Sequence, residues 1–140
     1  MITKQQVLDN LEEVKKYIAE VETKKEEKVI GIAIKNRFTG SIIFQSTKTT
    51  YKDAVNECVA EANKEGTYAN LTDANLTDAK LTDAKLTYAD LTGTDLTNAD
   101  LTNANLTRAN LTSANLTSAN LTRANLTRAD LIGANLTDAN

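Results

Sequence analysis

The chain contains no histidine, no proline and no tryptophan, and Cys58 is its only cysteine. A single cysteine excludes an intrachain disulfide. The absence of histidine removes the usual general base for a cysteine nucleophile, so we do not expect Cys58 to be catalytic. Because Cys58 lies on the apolar face of a predicted helix, the pattern indicates a core residue.

Aromatic residues make up only 4% of the chain, although 41% of its residues are hydrophobic. This composition favours a core of leucine and alanine over a large irregular core. No apolar run approaches the roughly 18 residues that a membrane-spanning helix needs, and the N-terminus lacks the apolar segment of a signal peptide. We therefore expect a cytoplasmic protein that does not bind membranes. The net charge of −3 predicts no strong electrostatic partner.

What the sequence has in abundance is a five-residue repeat, which runs from about Tyr68 to the last residue. Alanine stands two residues before each leucine except at Thr94, and threonine follows each leucine except at Ile132. A fixed period of this kind indicates stacked structural units. The predicted core leucines are Leu71, Leu76, Leu81, Leu86, Leu91, Leu96, Leu101, Leu106, Leu111, Leu116, Leu121, Leu126, Leu131 and Leu136.

A period of five residues fits neither regular element on its own. In an α-helix, five residues rotate about 500°, which is about 140° beyond a full turn, so successive leucines would lie on different sides. In a flat strand, an odd period would place successive leucines on alternate faces. A chain that turns a corner once per repeat can direct every leucine and alanine inward and the polar positions outward.

The repeat resembles that of the pentapeptide-repeat proteins, whose motif is A-(D/N)-L-x-x. Here it reads A-N-L-T-D from Ala69 to Asp73 and A-N-L-T-R from Ala104 to Arg108. The resemblance covers residues 67–140 and implies a β-solenoid, a right-handed quadrilateral β-helix with four repeats in each coil. The fourteen leucines would then make about three and a half coils, with a length of about 17 Å at strand spacing.

Residues 1–66 are predicted to form a small α+β cap. Its first helix is expected over residues 4–23, because apolar residues recur there at spacings of four and three. These residues are Val7, Leu11, Val14, Ile18 and Val21. We favour a helix face that packs on the rest of the cap, with a coiled coil between two chains as the alternative.

The second part of the cap is predicted to be a β-hairpin followed by a helix. The strands are expected at Val29–Ile34 and Ser41–Gln45, with a turn at Asn36–Gly40. Thr50 is placed to cap the helix and Gly66 to end it. The helix face would consist of Ala54, Val55, Cys58, Val59 and Ala62. Residues 36–66 resemble a segment that precedes the repeats in some bacterial and phage members of the family, and would cover the N-terminal end of the solenoid.

The last residues, Leu136 to Asn140, are still in repeat register and have no such cover. Members of the family often dimerise through their C-terminal coils, and a homodimer of this kind is the expectation that we prefer. Open-ended stacking into longer rods is an alternative, in a scaffold that is either natural or consensus-designed. The uniformity of the repeats is compatible with both origins.

If four repeats make one coil, residues twenty positions apart lie above one another and form a column on the surface. Tyr88, Arg108 and Arg128 would form one column, and Arg123 would lie on the neighbouring face. These four are the candidate interaction residues and could bind phosphate or an acidic partner. The alternative interpretation is that they are simply part of the solvated surface. Lys80 and Asp100 would share another column as a surface ion pair.

We predict a non-catalytic structural or protein-interaction solenoid, with a protein partner or self-association. The aspartates follow the repeat register on a convex surface, so no catalytic, metal, cofactor or small-molecule site is expected. The alternative is a DNA-mimicking modulator of DNA gyrase, as some family members are. That role requires a long acidic rod, whereas residues 67–100 carry six aspartates against two lysines and residues 101–140 carry two aspartates against three arginines. A nucleic-acid partner is not expected.

Overall fold

The computed structural model describes residue 6, residues 10–17 and residues 31–140. Residues 10–17 are helical and are called α1. Leu11 and Val14 remain 49% and 53% exposed there, which is less packing than the favoured interpretation of this helix face predicts. The remaining predicted face residues, Val7, Ile18 and Val21, lie outside the described residues.

The predicted hairpin is present. Strands β1 (Ala33–Lys35) and β2 (Ile42–Gln45) pair antiparallel, and Ile34 stands opposite Phe44. β1 begins later than the expected strand at Val29–Ile34, and residues 18–30 lie outside the described part. The turn forms because the side-chain oxygen of Asn36 accepts hydrogen bonds from two backbone amides of the turn, each at 2.9 Å.

Helix α2 (Tyr51–Lys64) follows the hairpin. Thr50 caps its N-terminus as predicted, since its hydroxyl oxygen accepts a hydrogen bond from the backbone N–H of Asp53 at 3.1 Å. Gly66 has a φ of +71° just beyond the helix end, a conformation that glycine adopts without steric cost. Of the expected inner face, four residues are buried: Ala54, Val55, Cys58 and Val59.

The repeats form a β-solenoid. Parallel bridges join residues twenty positions apart, such as Asn70 with Asp90 and Lys85 with Asn105. The backbone N–H of Leu71 donates to the carbonyl oxygen of Asp90 at 2.8 Å, and the N–H of Asp90 donates to the carbonyl oxygen of Ala69 at 2.9 Å. Twenty residues are four repeats, so each side of the solenoid is revisited every four repeats.

Each repeat turns its corner at the second residue after leucine, where φ is positive. The values are 55° at Asp73, 61° at Tyr88 and 57° at Arg108. Glycine, asparagine and aspartate adopt this left-handed region most readily, and they hold most of the corners. Corner side chains point away from the core, which leaves their identity open to variation.

The core is built from the leucines and alanines of the repeats. Ten leucines have no exposed surface, namely Leu71, Leu76, Leu81, Leu86, Leu91, Leu96, Leu101, Leu106, Leu111 and Leu116. Leu121, Leu126 and Leu131 are only partly buried, and Leu136 is 43% exposed. These last four leucines are less buried than the ten before them, since no following coil among the described residues packs on them.

The hairpin and α2 hydrogen-bond to the first coil. The backbone N–H of Asn75 donates to the carbonyl oxygen of Lys35 at 2.7 Å. On another side, the backbone N–H of Lys85 donates to the side-chain oxygen of Asn56 at 2.8 Å. Two backbone donors at the open edge of the first coil are thus satisfied by the preceding segment, as buried backbone groups require.

Candidate interaction face

One side of the solenoid differs from the others in charge. It consists of residues 83–88, 103–108 and 123–128, which lie side by side because bridges join Lys85 to Asn105 and Asn105 to Asn125. We call it the basic face. Its cations are Lys85, Arg108, Arg123 and Arg128, and its one carboxylate is that of Asp83. The rest of residues 67–140 carries seven aspartates and one lysine, so charge is segregated around the solenoid axis.

A column of planar side chains runs along one corner of the basic face and extends to Tyr68. The rings of Tyr68 and Tyr88 stack with centroids 5.0 Å apart and planes 16° apart. Arg108 Nη1 donates a hydrogen bond to the Tyr88 hydroxyl at 3.0 Å, and its guanidinium carbon lies 5.4 Å from the ring centroid. Arg128 holds the next corner position, with a φ of 59°. We call Tyr68, Tyr88, Arg108 and Arg128 the tyrosine–arginine column.

The structure brings two of the four sequence-predicted interaction residues into direct contact, Tyr88 and Arg108. Arg123 lies at the other corner of the same face. Within the described part of the chain, neither Arg123 nor Arg128 has a hydrogen bond or an ion pair to protein. Their exposed guanidinium groups can therefore bind an anionic group without first breaking an internal contact.

A groove lies between α2 and the basic face, with a volume of about 490 Å³. Val59, Ala60 and Asn63 line it from the helix, and Lys85 and Tyr88 line it from the solenoid. Tyr88 therefore belongs both to the groove and to the tyrosine–arginine column. Sequence reasoning missed this groove, because the repeat period does not encode where α2 packs.

Three carboxylates on the other sides accept short hydrogen bonds within their own repeats. Asp90, Asp95 and Asp100 each accept a hydrogen bond of 2.6 Å from the hydroxyl of the threonine two residues later. The hydrogen bond from Thr102, followed by that from its backbone N–H, lowers the pKa of Asp100 from its ordinary value. These carboxylates stabilise the turns of their own repeats.

The expected surface ion pair does not form in the predicted way. Among the described residues, the close ion pairs are Lys15 with Glu12 and Arg37 with Asp95. The charge of Lys80 makes only the smallest contribution to the lowered pKa of Asp100. The hydroxyl of Thr82 instead donates to Asp100 Oδ2 at 3.1 Å and occupies one position where a lysine could bind.

Cys58 is buried against the solenoid. Burial, followed by the charge of Glu61, raises the pKa of its thiol to about 11, so the thiol is protonated at neutral pH. Among the residues that the structure describes, no cluster of acidic or cysteine side chains could hold a metal ion. No helix in the described ranges has the length and apolar character of a membrane span.

A family model described as pentapeptide repeats matches residues 67–103 and 104–140, with eight copies. These residues make up more than half of the chain, so the chain belongs to the pentapeptide-repeat family. The hairpin and helix that precede the repeats agree with the expected cap. Among curated protein sequences, none matches the chain.

Solved structures of similar proteins are also pentapeptide-repeat proteins. HetL, from the cyanobacterium Nostoc sp. strain PCC 7120, is involved in the regulation of heterocyst differentiation. It is 43% identical with a TM-score of 0.50, over 51% of this chain and 33% of HetL. A protein from the thylakoid lumen of Arabidopsis thaliana is 35% identical with a TM-score of 0.49. The match covers 51% of this chain and 50% of the Arabidopsis protein. The chain thus matches between a third and a half of the length of these relatives.

Proposed function

We propose that this pentapeptide-repeat protein is a non-catalytic protein-interaction solenoid whose partner presents acidic groups to the basic face. The segregation of four cations and one carboxylate on a single side supports this proposal. We further propose a right-handed quadrilateral β-helix of about three and a half coils over residues 67–140, with residues 1–66 as its cap. The twenty-residue step of the backbone hydrogen bonds supports that geometry.

A rigid solenoid is suited to this role. Coil-to-coil hydrogen bonds hold two corners of the column, because the backbone N–H of Tyr88 donates to Thr107 and that of Arg108 donates to Thr127. The side chains of successive coils therefore project at regular intervals of about 4.8 Å. Stacking on Tyr68 and the hydrogen bond from Arg108 further restrict the Tyr88 ring. A binding surface that is ordered before its partner arrives loses less conformational entropy on association.

The DNA-mimicking alternative is less well supported by the same geometry. Mimicry requires negative charge around and along a rod, whereas the basic face carries four cations and one carboxylate. The basic face would also repel a surface that binds DNA. A gyrase supercoiling assay tests this alternative, and inhibition at low protein concentration would replace the proposed function with it.

The proposed function can be tested with a fluorescently labelled oligoglutamate peptide, whose binding is followed by anisotropy at low and moderate salt. Three substitutions on the basic face, Arg108→Gln, Arg123→Gln and Arg128→Gln, should together weaken binding at least tenfold. A control variant with the same change in charge carries Lys16→Gln, Lys48→Gln and Lys64→Gln at exposed positions outside the basic face. Equal losses in the two variants, or no binding by the unmodified protein, would contradict the proposal.

Self-association is a second candidate, because Leu136 is 43% exposed. Among the described residues, the backbone N–H groups of Leu131 and Leu136 have no backbone hydrogen-bond acceptor. Unpaired edge groups with apolar side chains favour pairing with another chain. Light scattering behind size exclusion should give a dimer mass for residues 1–140 and a monomer mass for Leu136→Lys. An unchanged mass in the variant would exclude this contact, and a mass that grows with concentration would indicate stacking into rods.

A further inference from the structure

We infer that the groove between α2 and the basic face binds an aliphatic side chain of the partner, so that the partner segment is an extended acidic peptide with an apolar anchor. This inference rests on the proposed function, because it takes an acidic partner on the basic face as given. It adds a second recognition element, an apolar site beside the cations. The partner segment must then contain an aliphatic residue as well as acidic ones.

The groove has the chemistry of a small apolar site with a polar rim. Val59 and Ala60 contribute aliphatic surface from α2, and Tyr88 lines the facing side. Asn63 and Lys85 supply polar groups at the rim. The volume of about 490 Å³ lies within the range of about 300–1,000 Å³ that is typical of ligand sites, and an open groove of this size accommodates a leucine-sized side chain together with its backbone.

The position of the groove couples it to the cations. Tyr88 lines the groove, and its hydroxyl also accepts the hydrogen bond from Arg108. In an extended peptide, alternate side chains that point to one side are about 7 Å apart. A segment anchored beside Tyr88 therefore places its following acidic side chains within reach of Arg108 and then Arg128. Lys85, at the groove rim, can bind a carboxylate next to the anchor itself.

The width of the basic face favours a single peptide strand over nucleic acid. The adjacent sides carry Asp90 and Asp100, which would repel a broad anionic surface such as a duplex. Single-stranded nucleic acid gains much of its affinity from base stacking on aromatic rings. Tyr68 and the Arg108 guanidinium already lie close to the Tyr88 ring, so a base cannot stack there without displacing them.

The first experiment compares two labelled peptides of glutamates, one with a central leucine and one with a central alanine, in the anisotropy assay. Burial of the leucine side chain should strengthen binding about tenfold over alanine. A leucine-containing peptide of lysines should not bind measurably. Labelled oligothymidylate serves as the nucleic-acid probe, and tighter binding of that probe than of the leucine peptide would overturn the inference.

The second experiment fills the groove. Ala60→Gln is a neutral change at an exposed helix position, and it should abolish the advantage of the leucine peptide while leaving the alanine peptide unaffected. Asn63→Met closes the groove from its other edge and should have the same effect. Thr49→Gln is the matched control, because it adds a glutamine to an exposed site of the cap that does not line the groove.

The outcomes separate the inference from the proposed function. If both glutamate peptides bind equally and the groove substitutions change the affinity of neither peptide, the inferred anchor site is wrong. The proposal of an acidic partner is then unaffected. If neither peptide binds, or the arginine substitutions have no effect, the proposed function itself fails. Loss of the leucine advantage in Ala60→Gln and Asn63→Met, with its retention in Thr49→Gln, supports the anchor site.

Discussion

The hydroxyl of Thr94 donates a hydrogen bond of 2.8 Å to the carbonyl oxygen of Leu71, one coil earlier. Thr94 occupies the one repeat position that departs from alanine, and it has no exposed surface. Its neighbour Gly93 sits at a corner with a φ of +64°, where a Cβ atom would clash with the carboxylate of Asp73. The two irregular residues of this repeat thus have a structural explanation: one adds a bond between coils and the other accommodates the Asp73 side chain.

Thr94→Val should lower the free energy of unfolding by about 1 kcal/mol, the usual net value of one intramolecular hydrogen bond. Valine retains the size of threonine but cannot donate to the carbonyl oxygen of Leu71. That oxygen keeps a second partner, the backbone N–H of Ala74 at 3.0 Å, so it is not left unsatisfied. Urea unfolding monitored by circular dichroism measures the change. An unchanged midpoint would show that the Thr94 bond does not stabilise the fold.

Gly93→Ala and Gly133→Ala should each destabilise the solenoid by about 1–2 kcal/mol, because both place a side chain at a positive φ. At Gly93 the added Cβ would lie close to an oxygen at the end of the Asp73 side chain, which can rotate away, and at Gly133 the nearest atom is Ser113 Oγ at 3.5 Å. The two substitutions should therefore lower the melting temperature by similar amounts. A much larger loss for Gly93→Ala that is restored by adding Asp73→Ser would show that the Asp73 side chain cannot move aside.

Leu106→Ala should cost about 2–5 kcal/mol, as for other fully buried leucines that leave a cavity. Leu106 lies in the middle of the solenoid and has no exposed surface. Leu136→Ala is the matched control, and it should cost much less because Leu136 is 43% exposed. Chemical denaturation of both variants at the same low protein concentration provides the comparison. Equal costs would mean that Leu136 is as buried in solution as Leu106.

The sequence predicts those features that depend on local chemistry or on the repeat period. The spacing of the leucines places them in the core, and Thr50 and Gly66 mark the ends of α2 because their roles are local. The period also aligns Tyr88 with Arg108, since residues twenty apart share a column.

The features that the sequence does not predict depend on how the cap sits on the first coil. The groove exists because Asn56 binds the backbone of Lys85. Similarly, Arg37 of the hairpin turn lies 4.0 Å from Asp95 of the solenoid. These contacts join distant positions through single side chains, so the hydrophobic periodicity of the sequence does not predict them.

Glu57 connects α2 to the end of the hairpin. Its carboxylate accepts hydrogen bonds from the Ser46 hydroxyl, from the backbone N–H of Thr47 at 3.1 Å and from the Thr47 hydroxyl at 2.8 Å. The bond from Ser46, followed by that from the Thr47 hydroxyl, lowers the pKa of Glu57 below its ordinary value of 4.5. The folded state therefore binds this proton less readily than the unfolded state.

Stability from Glu57 should accordingly be present above the unfolded-state pKa and be lost as the pH falls through the lower folded-state pKa. As the pH falls from about 6 to about 3, the melting temperature of the unmodified protein should decrease more than that of Glu57→Gln, because glutamine does not titrate. Glu65→Gln, at an exposed residue beyond the end of α2, is the control and should follow the unmodified protein. Parallel melting curves for Glu57→Gln and the unmodified protein across this range would mean that the Glu57 hydrogen bonds do not distinguish the folded from the unfolded state.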